Sequence, residues 1–121
     1  MTAADGRYRF PRSARLRKRR EYLAVQGEGK KIRTRHFLVL VSRGGSGRVG
    51  ITVSKKIGNA VTRNRVKRLL REFVRQARWD GGAWVPADRD VVIIALRSAA
   101  DIDLAEVSRD LMQHRERVAA C

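Results

Sequence analysis

Between residues 60 and 78, Val66, Leu69, Leu70, Phe73, Val74 and Ala77 recur at helical spacing. At about 100° per residue they fill one stripe. Asn64, Lys67, Arg68, Arg71, Arg75 and Arg78 fall on the roughly opposite arc, Arg63 and Arg65 flank the stripe near the helix start, and Glu72 is the only acid in the segment. A helix of this kind must lay its apolar stripe on another layer of structure, because one helix cannot bury its own face. Its other side is then a ridge of cations held against solvent.

The rest of the chain supplies that layer. Ser13 is placed to cap a short first helix with Leu16, Tyr22, Leu23 and Val25 as its apolar positions, stopped by Gly27 and Gly29. Residues 36–42 read as an apolar strand, Gly44, Gly45 and Gly47 as a turn, and 48–54 as a second strand with Val49, Ile51 and Val53 on one face. The pair is expected to form a hairpin. Lys55 to Gly58 reads as a loop, with Asn59 or Thr62 capping the basic helix. Residues 80–90 form a loop carrying Gly81, Gly82 and Pro86, and 91–96 a buried strand. Asp103 and Glu106 have capping-box spacing ahead of a final helix with Leu104, Val107, Leu111 and Val118. The expected fold is a single α+β domain, an α-β sandwich in the order α-β-β-α-β-α, with helices packed on a small sheet. Residues 1–12 are expected to be a flexible N-terminal segment and 13–119 the domain.

With 121 residues the chain supports one domain. No apolar run is long enough for a transmembrane helix, and Met1 to Phe10 has no apolar core of a secretory signal. The single cysteine, Cys121, excludes an intrachain disulfide and a Cys/His zinc site. A cytoplasmic protein without membrane partners is expected.

Charge narrows the partner. Residues 1–79 hold 23 of the 28 Lys and Arg against Asp5, Glu21, Glu28 and Glu72, whereas residues 80–121 hold five Arg against eight acids. A net charge of +16, gathered in the first two thirds of the chain, attracts a polyanion at long range. Nucleic acid ranks first, ahead of an anionic membrane and an acidic protein. Arg15, Arg17, Lys18, Arg19 and Arg20 form a second basic cluster, and together with 63–78 it favours one shared polyanion site.

Catalytic constellations are missing from the pattern. Gly45 to Gly50 matches the letters GxGxxG, but Ile51 to Val53 after it reads as strand, not as the helix a dinucleotide site needs. His36 and His114 lie far apart without neighbouring ligand patterns, and Asp88/Asp90 and Asp101/Asp103 flank elements as loop and cap residues do. No catalytic residue and no metal ligand is assigned. Phe73 belongs to the apolar stripe, while for Tyr22 and Phe37 core packing and base stacking both stay open.

Residues 50–72 carry a familiar pattern: Ser54 to Val61 reads Ser-Lys-Lys-Ile-Gly-Asn-Ala-Val, followed by Arg63-Asn64-Arg65 and Lys67-Arg68. With Leu16 to Tyr22, Gly29, Arg35 to Phe37 and the strand from Asp90, the chain resembles the bacterial ribonuclease P protein component from about Phe10 to Val118. The resemblance implies a subunit of the endoribonuclease that removes the 5′ leader of precursor tRNA. In that family the RNA subunit is the catalyst and uses Mg2+ held mainly by the RNA, with no small-molecule cofactor. It implies a left-handed βαβ crossover, an exception to the usual hand. By resemblance Lys55, Lys56, Asn59, Arg63, Asn64, Arg65, Lys67, Arg68 and Arg71 face the catalytic RNA, and Arg17, Arg20, Tyr22 and Phe37 line the leader cleft. Family members often have further aromatics where this chain has Gln26 and Leu40. The rival reading is a general structured-RNA-binding protein without a processing role.

Overall fold

The computed structural model describes residues 15–16, 19–79, 84–86 and 88–120. The elements run α1 (Arg19–Glu28), β1 (Lys30–Arg33), β2 (Phe37–Val41), β3 (Val49–Thr52), α2 (Ala60–Trp79), β4 (Val91–Ala95), α3 (Leu104–Met112) and α4 (Arg115–Ala120). Short 3-10 turns occupy Lys55–Ile57 and Arg97–Asp101. The expected N-terminal segment 1–12 and the Ser13 cap lie outside the described residues.

The basic helix forms as its periodicity requires. No glycine or proline interrupts α2, and the Asn59 side chain accepts from the Thr62 N–H at 3.0 Å to cap it. Val66, Leu70, Phe73, Val74 and Ala77 are buried and Leu69 is half-buried, so the stripe is the underside of the ridge. Each fully buried side chain of this size contributes roughly 1.5–3 kcal/mol.

The strands pair as β1-β2-β4-β3. β2 is antiparallel to β1 and to β4, while β3 is parallel to β4. The expected hairpin between 36–42 and 48–54 is therefore wrong: β4 lies between those two strands. Its Val91 to Ala95 run is apolar on both sides and suits the interior of a sheet. The Gly-rich link between β2 and β3 crosses the start of β4, where Asp90 ties it down. The Asp90 carboxylate accepts from the N–H groups of Ser46 and Arg48 at 3.2 and 3.0 Å, and the Asp90 N–H donates to Ser42 Oγ at 2.8 Å.

β1 was not expected at all. Lys30 to Arg33 buries only Ile32, and its cations guard a sheet edge. Leu16 is not helical: its N–H donates to the Val49 carbonyl at 2.9 Å, and Arg15 bridges to Val49, covering the β3 edge. The final helix is two helices that meet at Gln113–His114. Trp84, read as part of a loop, is a core residue whose Nε1 donates to the Leu111 carbonyl at 2.9 Å and whose ring meets Phe73 edge-on at 5.5 Å.

The sheet separates two apolar layers. Phe37, Val39, Val41, Val49, Val91, Ile93 and Ala95 face α2 and the C-terminal helices. Leu40 and Val92 face the other way, with Leu16 and Val25 over them and Tyr22, Leu38 and Ile94 alongside. At the strand end nearest the start of α2, the Asp110 carboxylate accepts from Thr34 Oγ1 at 2.7 Å and from the N–H groups of Arg35 and His36 at 2.9 Å each. That clasp fixes the β1–β2 turn to α3.

Candidate nucleic-acid interface

The ridge is assembled from three consecutive pieces. Lys55 and Lys56 stand exposed on the 3-10 turn that Ser54 caps by accepting from the Lys56 N–H. Gly58 follows at φ 155, a conformation that side chains rarely adopt, and turns the chain into the Asn59 cap. Arg63, Asn64, Arg65, Lys67, Arg68 and Arg71 then line α2; Asn64, Arg65, Arg68 and Arg71 are exposed, and Arg63 and Lys67 half-buried. Of these cations, Lys55, Lys56, Arg63 and Arg65 crowd the positive end of a helix that has no acid in its first turn.

The arginines are not equivalent. Arg65 donates from Nη1 to the Ala100 carbonyl at 3.2 Å and from Nη2 to the Ile102 carbonyl at 2.6 Å, which pins the 97–101 turn to the ridge. Arg75 forks onto the Glu72 carboxylate. Arg68 and Arg71 meet no carboxylate among the described residues. Sequence spacing could not tell these three situations apart.

A second surface lies on the open face of the sheet beside α1. The register sets Arg33 beside Leu38, Leu38 beside Ile94, and Ile94 beside Thr52, and both apolar side chains are partly exposed. Tyr22 borders this groove and sits over Gly50. Burial pushes its hydroxyl pKa above the usual phenol value, against a hydrogen bond with the Ile51 backbone that lowers it. Phe37 is not part of the groove. It is 0% exposed, on the helix-packed face, so no base can stack on it. The period of 2 along β2 puts Leu38, not Phe37, on the open face. Arg17 lies outside the described residues.

Arg20, in the same turn of α1 as Tyr22, is exposed at an open cavity of about 330 Å³ that is also lined by Glu21, Arg43, Arg48 and Asp90. Arg48 bridges Glu21 of α1 and Asp90 of the sheet, the latter at 3.1 Å, and the Asp90 hydrogen bond holds its guanidinium pKa above the usual value. That bridge anchors α1, and with it Tyr22, over the sheet.

His36 joins Ser98 Oγ (2.8 Å from Nδ1) to Glu106 Oε2 (3.0 Å from Nε2). This chain of polar contacts was invisible in the sequence, since its members are 62 and 70 residues from His36. It ties β2, the 97–101 turn and α3 together. Among the described residues no group of three or more His, Cys, Asp and Glu could hold a metal ion, and no helix is long and apolar enough to cross a membrane.

The family model for ribonuclease P matches residues 10–119. The chain is similar to the ribonuclease P protein component of Desulfovibrio desulfuricans, 41% identical over 93% of this chain and 88% of that one. It is also similar to that of Syntrophus aciditrophicus, 45% identical over 83% and 82%. Among solved structures it is similar to the RNase P protein from Thermotoga maritima (TM-score 0.73, 32% identity, 85% of this chain and 96% of that one). The Staphylococcus aureus RNase P protein gives a TM-score of 0.70 at 28% identity, over 88% and 94%.

Proposed function

The chain belongs to the ribonuclease P protein family and is the protein component of an endoribonuclease that processes tRNA 5′ ends, and from that premise we propose how its two surfaces divide the work. The ridge formed by Lys55, Lys56, Asn59, Arg63, Asn64, Arg65, Lys67, Arg68 and Arg71 docks the RNA subunit. The groove bordered by Tyr22 and floored by Leu38 and Ile94 holds the single-stranded 5′ leader of precursor tRNA, with Arg20 at the neighbouring cavity as a further cation for its phosphates. The protein does this in the cytoplasm.

The observation that carries the reading is the division of α2: an underside buried to a few per cent, and an upper side whose exposed Arg68 and Arg71 meet no carboxylate. Guanidinium groups fork across phosphate oxygens, and the Asn64 amide can donate to a phosphate or a 2′-hydroxyl. In the groove, half-exposed apolar side chains and one ring give sequence-tolerant contact with bases. Two polyanions repel each other, and a +16 protein between them lowers that cost and releases counterions. Magnesium does not fit this surface. The ridge's one acid, Glu72, is held by Arg75, so the donor set suits phosphate, and the metal belongs to the RNA.

Reconstitution with a bacterial catalytic RNA tests the proposal. Adding the protein lowers the magnesium needed for 5′-leader removal, most strongly at low salt. A chain that binds the RNA and leaves the magnesium requirement unchanged is a general RNA binder instead.

A further inference from the structure

Among the strand positions that face the open side of the sheet, Gly50 alone has no side chain; its neighbours in register and along the strand are Val92 and Thr52. The backbone does not demand a glycine there, because the positive-φ glycines among the described residues are Gly47 and Gly58. Glycine inside a strand weakens it, and often marks a place where something approaches closely. Here the approaching group is Tyr22. A Cβ on Gly50 would stand 2.6 Å from Cε1, 2.8 Å from Cζ and 3.0 Å from Oη of that ring, well inside carbon–carbon contact distance.

A second contact fixes the far end of the ring. Val49 uses its carbonyl toward the outer edge of β3, accepting from Leu16. Strand alternation turns the backbone of Ile51 to the same edge, where it hydrogen-bonds the Tyr22 hydroxyl. The ring is thus held at two points and is still partly exposed.

We propose that Gly50 is a positioning residue for the leader: its missing side chain is the notch that seats the Tyr22 ring, so that the ring's exposed part meets a leader base at the mouth of the groove. This rests on the leader-groove reading above, and it gives a role to the last glycine of the GxGxxG letters, which no cofactor accounts for.

The test uses the reconstituted ribonucleoprotein and two substrates, a precursor tRNA with a long leader and one with a single-nucleotide leader. The readout is the ratio of their dissociation constants for wild type, Gly50→Ala, Tyr22→Ala and the double variant. Loss of one base–ring stack weakens long-leader binding roughly tenfold. Gly50→Ala is expected to lose most of the discrimination that Tyr22→Ala loses, and the double variant to be no worse than Tyr22→Ala. Wild-type discrimination in Gly50→Ala, or a double variant whose loss is the product of the two single losses, overturns the positioning role. Full discrimination in Tyr22→Ala overturns the groove reading itself. A second measurement, which needs only the wild-type protein to overturn the proposal, is the NMR shift of the Gly50 Hα protons. A ring-current displacement that is present in wild type and Tyr22→Phe and absent in Tyr22→Leu supports the seat, and no displacement in wild type refutes it.

Discussion

Three arginines on one helix should respond differently when their charge is removed. Arg68 is exposed and meets no carboxylate among the described residues, so it is free to neutralise a phosphate. Each phosphate contact contributes about 0.9 to the slope of log affinity against log salt. Arg68→Ala should flatten the slope by about that amount, so raising salt from about 50 to 200 mM costs the variant roughly 3.5-fold less affinity than it costs wild type. Arg75 is already spent on Glu72. Arg75→Ala should change the slope by less than half as much, and Glu72→Gln should tighten binding by removing the one negative charge of the ridge. Arg65 keeps its charge while holding two backbone carbonyls. Arg65→Lys should therefore retain the salt slope but lose about 1 kcal/mol of folding stability, because an ammonium cannot span both acceptors. Fluorescence anisotropy with the RNA subunit at four salt concentrations and fixed magnesium, beside urea denaturation of the free proteins, measures both quantities. Equal slope changes for Arg68→Ala and Arg75→Ala would refute the reasoning, as would wild-type stability in Arg65→Lys.

Two further substitutions probe the frame behind the ridge. Asp110 is 1% exposed and accepts from Thr34, Arg35 and His36; Asp110→Ala strands the N–H groups of Arg35 and His36, while Thr34 Oγ1 keeps the Phe37 carbonyl, and should cost about 2–3 kcal/mol in urea denaturation; a loss below about 1 kcal/mol contradicts the clasp. Gly58→Ala forces a side chain into φ 155 with its Cβ 3.1 Å from Thr62 Cβ, and should cost roughly 1–3 kcal/mol, read as a lowered melting temperature; an unchanged melting temperature removes the strain argument.

The parts of the fold that follow from local pattern were legible in the sequence. The α2 stripe, the apolar β4 run and the Asp103 cap, whose side chain accepts from the Glu106 N–H at 2.9 Å, are each written in consecutive residues. Strand order was not. Consecutive strands joined by glycines suggest a hairpin, and only the distant Asp90 contacts show that the link crosses a third strand. Faces were ambiguous for the same reason that β2 is central: Phe37 to Val41 is apolar throughout, so nothing in the run says which parity meets the helices. β1 has one apolar residue in four and carries no strand signal. In the site, the cations were legible as a ridge, whereas the carbonyl contacts of Arg65 and the notch at Gly50 depend on residues 35 and 28 positions away.

The start of α2 shows why stability and function pull against each other here. Cations near the positive end of a helix each oppose its dipole by roughly 0.3–1 kcal/mol. Lys55, Lys56, Arg63 and Arg65 lie within about one turn of that end, and no acid balances them in the first turn. A local rule is broken where nothing in the free protein benefits, which is the pattern expected of a binding site. The cost is offset by the Asn59 cap, the buried stripe and the Arg65 tie, all of which hold the cations in place without neutralising them. A bound polyanion removes the repulsion, and because it binds the folded chain more tightly than the unfolded one, it must also stabilise the fold. The same residues therefore make the free protein less stable and the ribonucleoprotein more so.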